Sequence, residues 1–363
     1  MDPRAGSVGK SEAAIPTLNF ESAPVSFGVT TVVLPIGAAN DPMRLPAAPS
    51  GIWLALRAVY PTARRAFADA RSKELVKRVR LASRAFMNFG IWRRWHAFLA
   101  ASPFGGITHF YPRFYEKPFR PYLYKSLGSE ERCRTLVQHY LFMGQHAPAG
   151  LIEAVLSNQP YLLNETSLEE IEEPLAINLT YAKHMQQEGE LTLSLGRLDS
   201  LHTHRQHAWI ASITFTVRHN GSGWEIVIGG AQGGHAEQGR EDARLATKAF
   251  HGMRPKPLLI HVLQEMAAYW GIDRIYGVTN ATHCLTRRRY QGRILIKSSY
   301  DELWQEAGGV PVAGGFYELP VRQARRALET VPSRKRGLYQ RRFQLLDKLD
   351  SEIRHKLDTG QVP

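Results

Sequence analysis

The strand-like run Trp224–Ile228, WEIVI, passes into GGAQGGHAEQGREDARLATKAFHGMRPK, residues Gly229 to Lys256. A glycine-rich turn between a strand and a helix can fold backbone N–H groups around a phosphate, with the positive end of the helix behind them. Gln232, Gly233 and Gly234 are the candidates for that task. Glu237, Glu241 and Asp242 would repel a phosphate, and Arg240, Arg244 and Lys248 partly offset them. A plain turn, with glycine chosen for positive φ, fits the same letters. At the far end Arg254 and Lys256 precede a second helix N-terminus, where charge and dipole act together on an anion. A linker stiffened by Pro255 and Pro257 is the other reading of that segment.

Other residues offer different chemistry. Glu265, on the polar face of its helix, is a candidate general base, and Asp273 is another. A solvated helix charge is the commoner fate of such a glutamate. HTHRQH supplies His202, His204 and His207, but only Asp199 adds a further ligand type, so no metal is expected. The chain contains no Gly-x-Ser-x-Gly elbow, phosphate loop of the Walker type or His-Glu-x-x-His. Lys117 and Arg120 stand among aromatics in FYPRFYEKPFRPYLYKSL, and Arg334, Lys335, Arg336, Arg341 and Arg342 form the sharpest basic cluster. Such sites suit phosphates of nucleic acid, where aromatics also stack on bases. They suit an anionic lipid or lipid-linked substrate as well, and lipid is the favoured partner of the two. A solvated basic face over an aromatic core is the alternative to both.

The elements that must hold these residues change style along the chain. Residues 1–50 are rich in Pro, Ala, Gly and Ser and are expected to be a disordered arm, with Thr30–Gly37 as a short strand or docking segment. Residues 51–165 read as a basic, aromatic-rich helical domain; positions 51–150 hold 17 Lys/Arg against 5 Asp/Glu. In AFADARSKELVKRVRLASRAFMNFG, Phe67, Leu75, Val79 and Phe86 share a stripe and the basic residues fill the other faces. Ser129 is the expected N-cap of the next helix. NETSLEEIEE, Asn164–Glu173, marks the expected domain boundary. Residues 166–320 then switch to period two. LAINLTYAK, GELTLSLGRL, AWIASITFTVR and GWEIVIGGAQ predict strands, and HNGSG predicts a hairpin turn. Helices at REDARLATKAFHG and KPLLIHVLQEMAAYWG, a strand at Ile272–Val278, a helix near Tyr300–Ala307 and a strand at GGFYELP follow. Residues 321–363 form a basic C-terminal helix with Leu338, Leu345, Leu349, Ile353 and Leu357 on one side. The fold class predicted is α+β: a basic helical region, then a mixed, mostly antiparallel sheet with flanking helices and one parallel strand at Ile272–Val278.

The bulk composition narrows the partners. The 46 Lys+Arg against 33 Asp+Glu give a formal charge of +13 over 363 residues, which favours polyanions. Two distant cysteines exclude a disulfide framework and a structural zinc motif. The N-terminal residues lack the pattern of a signal peptide, and no run is long and apolar enough to span a bilayer. The cytoplasm is the expected location.

From the basic-aromatic segment onward, the chain resembles the VirK/YbjX family of bacterial proteins. The resemblance rests on KPFRPYL (Lys117–Leu123), HY (His139–Tyr140), EGELTLSL (Glu188–Leu195), IGGAQG (Ile228–Gly233) and ATKAFHGMRPK (Ala246–Lys256). GIDRIYGV (Gly271–Val278), SYDELWQEAGG (Ser299–Gly309) and SRKRGLYQRRFQLLD (Ser333–Asp347) add to it. The family has no settled biochemical activity. The resemblance implies a link to virulence, envelope properties and tolerance of antimicrobial peptides or other stress, with a peripheral place at the inner membrane face. A second resemblance is to the acetyltransferase-like fold, where acyl-CoA lies between two parting parallel strands. It implies acyl-CoA as donor, an envelope-related amine or hydroxyl as acceptor, Gln232, Gly233, Gly234, Arg254 and Lys256 as the cofactor-binding set, and Tyr290 or Tyr300 in place of the tyrosine that protonates the leaving thiolate. The sequence departs from that fold at His235, where glycine is usual, in placing two helices before the next strand, and in the closing helix, where Trp304 occupies the position nearest that tyrosine.

Overall fold

The computed structural model describes residues 59, 61–67, 72–168, 171–198, 209–234, 236–286 and 299–360. The arm at 1–50 with its Thr30–Gly37 segment, the histidines His202, His204 and His207, His235 and Tyr290 lie outside the described residues.

Helices α1 (Ser72–Met87) and α2 (Phe89–Ala101) lead into short 3₁₀ and helical turns across 103–119, then α3 (Ser129–His146) and α4 (Ala149–Ser157). Prolines at 112 and 118 hold the aromatic segment to a tight 3₁₀ run instead of a long helix. The N-cap of α3 is Gly128, one residue ahead of the expected Ser129, and its N–H donates to Glu131 at 3.2 Å. On α1 the buried residues are Leu81 and Ala85, while Leu75, Val79 and Phe86 of the predicted stripe are exposed.

Strands β1 (Tyr161–Leu168), β2 (Ile171–Tyr181), β3 (Leu191–Arg197), β4 (Trp209–His219) and β5 (Trp224–Gly233) form an antiparallel meander. Helices α5 (Ala236–Ala249) and α6 (Pro255–Tyr269) then carry the chain across to β6 (Arg274–Val278), which pairs with β5 in parallel. A parallel return needs such a crossover, since a tight hairpin can only make antiparallel neighbours. After α7 (Tyr300–Glu306), β7 (Val310–Val312) and β8 (Phe316–Leu319) complete a sheet ordered β1-β2-β3-β4-β5-β6-β8-β7 among the described residues. The architecture is α+β with a mixed, mostly antiparallel sheet. Asn164–Glu173 contributes to the paired strands β1 and β2, and one apolar core joins Trp95, Leu136 and Phe142 on the helices to Leu179, Leu193 and Ile213 on the sheet.

The closing helix α8 (Ser333–Thr359) buries Leu349, Ile353 and Leu357, and Tyr161 of β1 donates to its Lys356 carbonyl at 2.6 Å. Near the middle of the sheet β4 outruns β3, whose last pair there is Leu191↔Phe215. The backbone groups beyond would lie unpaired in the interior. Side chains of α3 take them over: Val217 N–H donates to His139 Nδ1 at 3.2 Å, and Gln138 bonds both the N–H and the carbonyl of His219 at 3.2 Å.

Candidate functional site

The β5–β6 ladder runs only from Glu225↔Arg274 to Ile228↔Gly277. Beyond it β5 continues to Gly233, paired among the described residues on its β4 side alone. There β5 carries a bulge, since Thr214 faces Gly230 but Phe215 faces Ile228 and Gly229 is the extra residue. The reason is close approach. A Cβ on Gly229 would collide with the Glu188 carbonyl, and one on Gly230 with the Glu188 carboxylate. Gly234 and Gly239 similarly let the end of β5 and the first turn of α5 meet backbone to backbone. None of these four glycines has positive φ; Gly252, at φ +79°, is the one in the run that does.

Glu188 sits in the connection between β2 and β3 and is buried. Its carboxylate accepts from Gln232 Nε2 at 3.2 and 3.3 Å and lies 3.4 Å from His283 Nε2. His283 Nδ1 accepts from the Leu285 N–H at 3.3 Å, and its buried Nε2, near Glu188, makes no hydrogen bond among the described residues. The Tyr300 ring lies 5.5 Å from the His283 ring, and its phenol meets the Ala231 backbone. Burial first, then the Glu188 carboxylate, push that phenol well above its ordinary pKa, so Tyr300 keeps its proton at neutral pH. Sequence reasoning missed Glu188 and His283. HMQQEGE reads as a polar turn, and only the glycine pair opposite it hints that something must come close.

From Gly230 to Gly233 is about 10 Å along the strand, and at that end lies an open cleft of about 470 Å³. It is lined by Gly233 and Gly234, by Arg240 and Arg244 of α5, and by Arg254 and Lys256 at the start of α6. The start of α6 therefore borders the cleft and its dipole adds to the cations, while α5 lines it with its flank from Gly239 to Thr247. Glu302 and Glu306 of α7 line the other side, with Arg254 paired to Glu306 and Arg244 to Glu241. Burial, then Arg254, lower the Lys256 pKa. An anion there would act against that lowering.

The expected residues thus divide. Gly233, Gly234, Arg254 and Lys256 line the cleft, Gln232 lines a separate hollow with Glu188 and Arg120, and Tyr300 meets the β5 backbone at Ala231. Glu265 does not: it lies on the α6 face turned to α8, accepts from Arg354 at 2.6 Å, and neighbours the 2.7 Å His261–Asp350 pair. It holds two helices together. Lys117 is interior. Its ammonium is paired with Glu190, sits 5.2–5.6 Å from the ring centres of Phe114, Tyr122 and Tyr181, and burial lowers its pKa against the pull of Glu190. No external anion reaches it. Arg120 is half-buried, bonded to Gln186 at 3.1 Å and to Glu116 at 3.2 Å. On α8, Arg334, Lys335, Arg336 and Arg341 are exposed; Arg336 also donates to the Val331 carbonyl. Arg342 donates twice to the His251 carbonyl, at 3.0 and 2.6 Å, and fixes the α5–α6 turn.

Residues 70–355 match a family described as a protein of unknown function, DUF535. This chain belongs to the DUF535 family. Its relatives include the uncharacterized protein YbjX of Escherichia coli K12, 29% identical over 243 residues, 67% of this chain and 71% of that one. Two uncharacterized proteins of Haemophilus influenzae are each 25% identical. One match covers 63% of this chain and 72% of the relative, the other 76% and 87%. Among solved structures, a mutant cAMP-binding acyltransferase of Mycobacterium smegmatis aligns at 14% identity over 62% of either chain, with a TM-score of 0.27. So loose an alignment carries no argument for this DUF535 chain. Its cleft must be read from its own residues.

Proposed function

We propose that this DUF535 protein is an acyl-CoA-dependent acyltransferase acting on an amine or hydroxyl of an envelope-related molecule. One observation carries the reading: β5 runs past its parallel partner from a buried carboxylate into a cationic cleft bordered by the flank of α5 and the N-terminus of α6. Phosphates of the donor suit Arg240, Arg244, Arg254 and Lys256, where charge-assisted bonds are about twice as strong as neutral ones. The thioester end then lies along β5 toward Gly229–Ala231.

In this reading Glu188, oriented by Gln232, is the base, with His283 beside it as proton partner. The acceptor nitrogen or oxygen forms a bond to the thioester carbonyl carbon, and its proton passes to Glu188. The carbon–sulfur bond breaks, and the departing thiolate takes up a proton through Tyr300. The family resemblance is the support for an envelope-related acceptor.

The test is release of free thiol from acetyl- and longer acyl-CoAs in the presence of amine and hydroxyl acceptors. Glu188→Gln should lower kcat about 10²- to 10⁴-fold while CoA still binds. Turnover unchanged by that substitution would refute the assignment.

A further inference from the structure

Helix α1 has two apolar faces. One, with Leu81 and Ala85, packs against Phe67, Trp92 and Phe119. The other meets nothing among the described residues: Leu75, Val76, Val79, Phe86 and Met87 are 53%, 57%, 58%, 67% and 72% exposed. At 100° per residue these five fall within about 120° of the helix circumference. Large apolar side chains in water are ordinary when scattered. Gathered on one helix face they mark a docking surface.

The charges beside the stripe say what docks. Arg80 borders it and is exposed, and Arg64 and Arg65 stand exposed in the helical segment just before α1. Helix α1 holds five basic residues and a single acid, Glu74, which is already paired with Lys77. A second copy laid on this face would bring like charges together. An anionic bilayer would gain about 1 kcal/mol for each Lys or Arg near its surface. An apolar helix face flanked by basic residues is the pattern of a helix that lies in a lipid interface with its apolar side among the acyl chains.

We infer that α1 docks the protein on an anionic membrane surface, with Leu75, Val79 and Phe86 inserted and Arg64, Arg65 and Arg80 at the headgroups. No helix among the described residues is long and apolar enough to cross a membrane, so the attachment is peripheral. The inference stands apart from the chemistry of the cleft.

The experiment is flotation of the full chain with vesicles of phosphatidylcholine alone or mixed with phosphatidylglycerol, at low and high salt. The wild type should float with the mixed vesicles and be released by salt. Val79→Asp with Phe86→Asp should weaken binding by at least about tenfold, from loss of buried apolar area. Arg64→Glu with Arg80→Glu, which leaves the stripe intact, should do so too. All these residues are exposed, so unchanged melting of the variants is expected and checks their folding. Failure of the wild type to float with phosphatidylglycerol overturns the inference. So does full binding by either variant, or a concentration-dependent dimer that Phe86→Asp dissolves, which would give the face to a second copy.

Discussion

Two polar regions of this protein use similar side chains for opposite ends. In one, Lys117, Glu190 and Tyr140 sit fully inside, with Tyr140 donating to Glu190 at 2.5 Å and Tyr122 sharing a 2.7 Å bond with Thr216. Each charge has its partner within the fold. In the other, the buried Glu188 has Gln232 and His283 for company, and the strand beside it leads to a solvent-filled cationic cleft. The first region is complete without a ligand. The second ends in an open cleft whose lining holds Arg240, Arg244, Arg254 and Lys256 against Glu302 and Glu306. Residue type alone does not separate them; what separates them is whether the neighbouring strands close over the group or part beside it.

The largest test of that contrast is Glu190→Ala. It leaves the Lys117 ammonium buried without a counter-ion and should cost about 3–5 kcal/mol in denaturant unfolding. Glu188→Gln keeps the hydrogen-bonding shape and should change stability far less. Equal losses at both positions would erase the distinction. Next is Gly230→Ala, whose methyl must displace the Glu188 carboxylate. A loss of about 1–3 kcal/mol, as for other overpacked sites, is expected together with lost activity. Third, Lys256→Met should weaken CoA binding about tenfold, measured by titration calorimetry, because a charge-assisted bond is removed, and melting should barely move.

A last effect is confined to acid pH. Burial, reinforced by Lys117, holds the His139 pKa down to about 3 from 6.5. The unfolded chain takes up that proton near 6.5 and the folded chain only near 3. This contribution is therefore whole above pH 6.5 and is lost as the pH falls toward 3. In His139→Gln the fall in melting temperature over that window should be shallower than in the wild type. Parallel curves would mean that burial and Lys117 do not hold the imidazole neutral.

Much of the fold was legible in the letters. Period two gave the meander from Leu175 to Gly233, and HNGSG, read as a hairpin turn, lies between β4 and β5. The two helices before β6 made its parallel return readable. The failures share a cause, namely contacts distant in sequence. Lys117 meets Glu190 73 positions away, so its aromatic surroundings looked like a platform for ligands and are instead a cage. Phe86 and Val79 follow helical spacing as core residues do, yet Leu81 and Ala85 face the core. Gly229, Gly230, Gly234 and Gly239 resembled a phosphate loop, but what they permit is the approach of Glu188 and of α5. Period reveals an element and its faces. It does not reveal which face meets a partner.

The central claim is that the cleft binds the phosphate end of an acyl-CoA beside Glu188. Thermal shift of the wild type and of Lys256→Met across a series of acetyl- and longer acyl-CoAs tests it most directly. A saturable rise in melting temperature, reduced in the variant, is the predicted result, because a ligand bound only to the folded state must stabilise it. No shift at saturating ligand, or the same shift in both proteins, would contradict it.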